Sequence, residues 1–248
     1  MKAPIAEELK QLHDLSHKLP YVGTGMMDGT GTIPGAGFFP CAWGSLDAAQ
    51  PISRRAIMVL GQDQDRVSGL AKSLRRGDEF HTSTWRNMEA LFADAGLPME
   101  ACFFTNFIMG VRQDDTRNTG PSPALAHPDF MRACSALFME QLSLLRPEVI
   151  ITLGMIPFQL LSLISDDFSY RALGITEFKE IDARNMHINE DVVFDNAQRT
   201  TATVIALCHP CQPQNGRARH FSNGIADEVD LLAKAFAPMR EVWRNEVK

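Results

Sequence analysis

The chain has 248 residues, of which 45% are hydrophobic and 22% charged. That is enough to bury a sizeable core without disulfide staples. A net charge of −6 argues against a dedicated non-specific nucleic-acid coat, which would be basic, and leaves room only for a local basic patch.

In chain order, Ile5, Leu9, Leu12 and Leu15 recur at helical spacing, which predicts a helix over 4–18. Residues 22–50 are rich in Gly and Pro and read as an irregular loop. "RRAIMVLGQDQD" is an apolar run stopping at Gly61 and a polar turn, a first strand. Trp85, Met88, Leu91 and Phe92 give residues 83–95 one apolar helical face. "ACFFTNF" (101–107) reads as a second strand, 128–145 as a long helix, and "PEVIITLG" (147–154) as a third strand followed by a helix near 156–164. Within 165–200, "EFKEID" and "DVVFD" suggest a small hairpin. "TATVIALCH" is a fourth strand, and a last helix covers roughly 224–246.

Strands that are nearly continuous apolar runs, alternating with helices, imply a parallel sheet covered on both faces. The expected fold is an α/β three-layer α/β/α sandwich around a four-stranded parallel sheet. No linker separates two periodic regions, so residues 1–248 are expected to form a single domain. No run is long enough to span a membrane. The acidic N-terminus lacks a secretory signal, so a cytoplasmic protein is expected.

Ligands of such sheets bind at the carboxyl ends of the strands. Gln62 and Asp63, Asn106, Gly154 and His209 all stand at those ends. Asp63 can position or activate water. His209 can donate a hydrogen bond to a developing anion. The amide of Asn106 suits a planar heterocycle with one donor and one acceptor. There is no G-x-S-x-G elbow, G-x-G-x-x-G fingerprint or P-loop.

"VLGQDQD" resembles the G-Q-D-P-Y-type motif of the uracil-DNA glycosylase superfamily. "FFTNFIMGVRQDDTRNTGPSPALAHPDFMRACSALFMEQLSLLRPEVIITLG" is similar to that superfamily's stretch from its uracil-reading asparagine to the third strand, closest to the branch that often carries an iron–sulfur cluster. "ALCHPCQ" resembles the H-P-S motif that ends the fourth strand. The likeness runs over roughly residues 50–235 in motif order and spacing. It implies a DNA glycosylase that hydrolyses the N-glycosidic bond of uracil or a related deaminated base, with DNA as partner. Asp63 would position water, and His209 would hydrogen-bond uracil O2 as the base leaves as an anion. Gly61 and the backbone of Gln62 would contact the flipped base, Asn106 would read its edge, and Phe80 is the candidate for stacking on it. Cys211 takes the place of the phosphate-touching serine, and Arg217 and Arg219 would attract phosphate.

The sequence also departs from the family pattern. Gln212, Pro213 and Gln214 stand where the family has a bulky apolar wedge, so holding a duplex open is harder and single-stranded DNA is the favoured partner. Asp65 occupies the region where some members use tyrosine to exclude thymine. Only Cys134, with Cys41 as a weaker second, matches the cluster ligands, and two ligands do not hold a four-iron cluster. No metal and no cofactor are expected, and Cys134 should be buried. The odd, widely spaced set of five cysteines is not a disulfide framework.

Each residue also has a structural explanation. Asp63 could cap a helix, Asn106 could be a turn amide, and His209 could be a core histidine. Arg217 and Arg219 could be solvated loop charges, and Cys134 could simply fill the core. Cys208 and Cys211 raise a zinc site, but no second Cys/His pair stands at finger spacing. Two other functions stay open: an inactive member that binds a base, nucleotide or partner, and a hydrolase of small nucleoside-like substrates.

Overall fold

A computed structural model describes residues 6–28, 37–38, 57–76, 82–114, 120–217, 219, 221 and 224–237. The elements run in the order α1 (Ala6–Ser16), β1 (Met26–Met27), β2 (Gly37–Phe38), β3 (Ile57–Gly61), β4 (Gln64–Arg66), α2 (Val67–Arg76), α3 (Ser83–Asp94), β5 (Cys102–Asn106) and β6 (Val111–Arg112). They continue as α4 (Pro128–Leu145), β7 (Val149–Leu153), α5 (Met155–Leu160), α6 (Asp166–Arg171), α7 (Phe178–Ala183), β8 (Ile188–Val193), β9 (Thr201–Leu207), α8 (Pro213–Arg217) and α9 (Glu228–Ala235).

The expected strands β5, β3, β7 and β9 lie side by side in that order, all parallel. The sheet is wider than the four strands expected. β2 joins β5 in parallel at one edge, and β8 joins β9 antiparallel at the other, giving six strands. The suggested hairpin within 165–200 is corrected. "FKEIDA" is helix α7, and β8 pairs with β9 instead. The Glu180 carboxylate accepts from the amides of Thr176 and Glu177 at 2.6 and 3.1 Å, which satisfies two orphan donors and starts a helix there.

Alternation along β3 sends its side chains to two different cores. Met58 and Leu60 pack with Phe103, Ile150, Val204 and residues of α4. Ile57 and Val59 pack with Phe104, Ile151, Ile205 and the helices α3 and α9. A period-two strand buried on both faces requires a helical layer on each, which is the α/β/α sandwich. α4 starts at Pro128, whose missing amide costs nothing at a first helical turn, and ends at Arg146 in the left-handed region. Cys134 lies at 0% exposure within this helix, as expected. No helix among the described residues is long and apolar enough to cross a membrane.

A second small sheet, β1-β6-β4, stands just beyond the carboxyl ends of β3 and β5. It is built from three separate stretches of chain, and it holds Arg112 beside the β3 turn.

Candidate active site

The carboxyl edge of the main sheet gathers the expected residues. Main-chain hydrogen bonds continue past the strands. Phe107 donates to the Gly61 carbonyl at 3.0 Å, Ile108 to that of Gln62 at 2.9 Å, and Gly154 to that of Leu207 at 2.7 Å. Asp63, Asn106 and His209 are therefore carried by one edge, with β7 between the ends of β3 and β9.

Asn106 ends β5 at 2% exposure. Its Nδ2 is buried and has no hydrogen-bond partner among the described residues. A buried, unsatisfied amide donor is costly and rare. A Cβ on Gly61 would overlap the Asn106 Oδ1, so the glycine of the motif is what lets this amide lie over the end of β3. Gly154 has φ 101°, a conformation that disfavours any other residue, and its α-carbon faces the His209 side chain.

Asp63 is not an open carboxylate. Arg112 grips it in bidentate fashion, Nε to Oδ2 at 2.8 Å and Nη2 to Oδ1 at 3.0 Å, with both side chains about 5–6% exposed. Arg112 also donates to the Gly120 carbonyl at 2.8 Å. With its amide turned to satisfy its neighbours, Gln62 accepts from Arg112 Nη2 at 3.1 Å and from the Ser122 amide at 2.5 Å. The amide of Ser68, in the first turn of α2, is capped by Asp114 at 2.9 Å.

His209 is exposed at the tip of β9. Its Nδ1 accepts from the main-chain amide of Cys211 at 3.2 Å and lies 3.0 Å from the Cys211 Sγ. Burial pushes the Cys211 thiol up, so at neutral pH it is an S–H donor. With Nδ1 occupied as an acceptor, the ring proton sits on Nε2, a donor. Desolvation lowers the pKa of His209 and keeps the ring neutral at neutral pH. The following turn is tied down by Gln212 N to the His209 carbonyl at 2.9 Å, and by Asn87 Nδ2 to the Pro210 carbonyl at 2.8 Å. Where the family places an apolar wedge, this chain forms the short helix α8, with Gln212 and Gln214 exposed.

Arg219 requires a correction. It was expected to attract phosphate, but its guanidinium is buried. It bonds Asp182 at 3.0 Å and at Oδ1, Glu228 at 2.8 Å and the Ala206 carbonyl at 2.6 Å. Phe178 and Phe221 flank it with ring centroids at 4.6 Å. Desolvation works against its charge and is outweighed by the Asp182 hydrogen bond and the Glu228 charge, so its pKa is raised. Burial pushes the Glu228 carboxyl up, although the Cys208 amide donates to it at 2.6 Å. This cluster braces the strand that carries His209.

Phe80, Cys41 and the side chains of Asp65 and Arg217 lie outside the described residues. Cys208 is buried, with its thiol pushed up to about 12 by burial and then by Glu228, which is unsuited to a thiolate ligand. Among the described residues no group of three His, Cys, Asp or Glu side chains is placed to hold a metal ion. Arg112, Asp182 and Glu228 were not foreseen. The only hint at Arg112 was its place directly after the apolar stretch that follows Asn106.

A comparison with curated proteins finds no match. The family model of the uracil DNA glycosylase superfamily matches residues 50–236, from just before β3 to the end of α9. With that match spanning most of its length and the motif residues standing at one sheet edge, the chain belongs to the uracil DNA glycosylase superfamily.

Proposed function

We propose that the protein is a DNA glycosylase that hydrolyses the N-glycosidic bond of uracil, or a related deaminated base, extruded from a DNA strand. The observation that supports this most is the buried Nδ2 of Asn106, which has no partner among the described residues. An extruded base with a carbonyl at its edge would satisfy that donor, and the opposite amide oxygen would select an N–H beside it. His209 donates from Nε2 to the base as it departs with negative charge. A neutral imidazole suits this role because the hydrogen bond strengthens only as charge develops. Asp63, its orientation fixed by Arg112, directs water to the sugar carbon. A carboxylate has roughly four acceptor positions, so a clamped one can still accept from water. Single strands are favoured because the Cys211–Gln214 turn carries no apolar wedge, and unpairing a base costs a few kcal/mol.

The bidentate grip of Arg112 on Asp63 favours a second reading, a member of the family that binds an extruded base without cleaving it. Excision assays on single- and double-stranded oligonucleotides with one uracil separate the two. Release of free uracil, faster from single strands, is the expected result. Tight binding with no release, even with enzyme in excess, would leave the binding reading in its place.

A further inference from the structure

A cleft of about 730 Å³ opens beside His209, walled by the ends of β7 and β9 and by α7 and α8. None of its lining residues comes from β3 or β5, so it is separate from the Asn106 and Asp63 end of the edge. His209 borders it and also carries the proposed chemistry, so the opening lies beside the proposed reaction centre. α7, which forms its outer wall, belongs to the stretch 165–200 to which no function has been given.

The lining chemistry describes the occupant. Lys179 is bridged to Glu177 at 2.8 Å, and the buried Arg219 is held by Asp182. His209 is neutral. Among the described lining residues the charges cancel, and both cations there already have carboxylate partners, which disfavours a phosphate. Met155, Phe178 and Phe221 supply apolar surface. Gln212 and Asn215, both exposed, are joined by an amide–amide hydrogen bond of 2.6 Å. Either orientation of that pair leaves one amide donor and one amide acceptor outside that bond, the two kinds of group that the hydrogen-bonding edge of a planar heterocycle requires.

We infer that this cleft is a second base subsite, holding the nucleobase next to the one excised, through the Gln212–Asn215 amide pair and the apolar side chains of Met155, Phe178 and Phe221. The inference rests on the proposed function for the identity of the strand, and it makes the enzyme sensitive to a neighbouring nucleotide that it does not cleave. Single-stranded oligonucleotides with one uracil provide the test. One set carries ordinary flanking nucleotides, and the others carry a tetrahydrofuran abasic analogue on the 5′ or the 3′ side. Binding is read by fluorescence anisotropy and excision by single-turnover kinetics. A stacked or paired base contributes on the order of tenfold in affinity, so one of the two abasic strands should bind about tenfold more weakly. Asn215→Ala and Gln212→Ala should bind the intact strand at that lower level and show no further loss with the abasic one. Equal binding of all three strands overturns the subsite. So does equal binding combined with weakening by Lys179→Ala, which would assign the cleft to phosphate. If no strand releases uracil, the glycosylase reading fails on its own, and the anisotropy comparison still decides the subsite.

Discussion

Two halves of the same sheet edge each hold a buried arginine against carboxylates, and they are built differently. At the β3–β5 half, Arg112 grips the carboxylate of Asp63, and at the same edge the Asn106 amide has a donor with nothing to bind among the described residues. At the β9 half, one guanidinium, 3% exposed, serves two carboxylates and a strand carbonyl between two phenylalanine rings. Proteins seldom leave buried donors unsatisfied, so the leftover Asn106 donor suits a ligand, whereas all three nitrogens of the Arg219 guanidinium are bonded within the fold. The first half presents the Asn106 amide at the end of β5, and the second holds up the strand that delivers His209.

The largest expected effect falls on the scaffold half. Arg219→Ala leaves Asp182 and Glu228 buried without their cation and should cost about 3–5 kcal/mol of stability in urea unfolding. The salt dependence of DNA affinity should not change in any variant that remains folded, because a buried arginine contacts no phosphate. A slope reduced by about one would return Arg219 to the DNA interface.

A smaller effect is expected at the other half. Arg112→Lys keeps the charge and loses the fork that grips both oxygens of Asp63. It should cost about 1.5–3 kcal/mol and lower excision further than a surface variant of equal stability. Excision that simply follows stability would make the Arg112–Asp63 pair a second scaffold and erase the contrast.

The smallest effect is electrostatic. His13 is pushed down to about 4, by burial first and then by the charge of His17, and burial lowers His209 as well. A histidine whose folded pKa lies below its unfolded value gives stability that is fully present above the unfolded value of 6.5 and lost as pH falls. Stability should therefore decline between pH 6.5 and about 4, and His13→Gln should flatten that decline in parallel unfolding curves. Excision needs neutral His209, so it should stay level through neutral pH and fall only in acid. A rate that rises on acidification would mean that the imidazolium acts instead.

The central strands, α4 and the edge positions of Asp63, Asn106 and His209 were legible because long apolar runs mark buried parallel strands and ligands gather at their carboxyl ends. The remainder depended on contacts distant in sequence. Arg219 looks like a loop charge until Asp182, from α7, and Glu228, from α9, are brought against it. Arg112 lies in a two-residue strand of a sheet assembled from three separate segments, which leaves no periodicity to detect. The helix α7 is six residues long, rich in acids and half-exposed, and its start depends on one side chain reaching back to two amides.

The glycosylase reading is tested most directly by single-turnover release of uracil from a single-stranded oligonucleotide, with wild type and His209→Ala compared at high enzyme concentration. Removing a donor that acts on developing negative charge costs roughly a hundred- to a thousandfold in rate. Wild type should release the base, and the variant should be slower by about that factor with nearly unchanged strand affinity. No release by either protein, or equal release by both, would contradict the account.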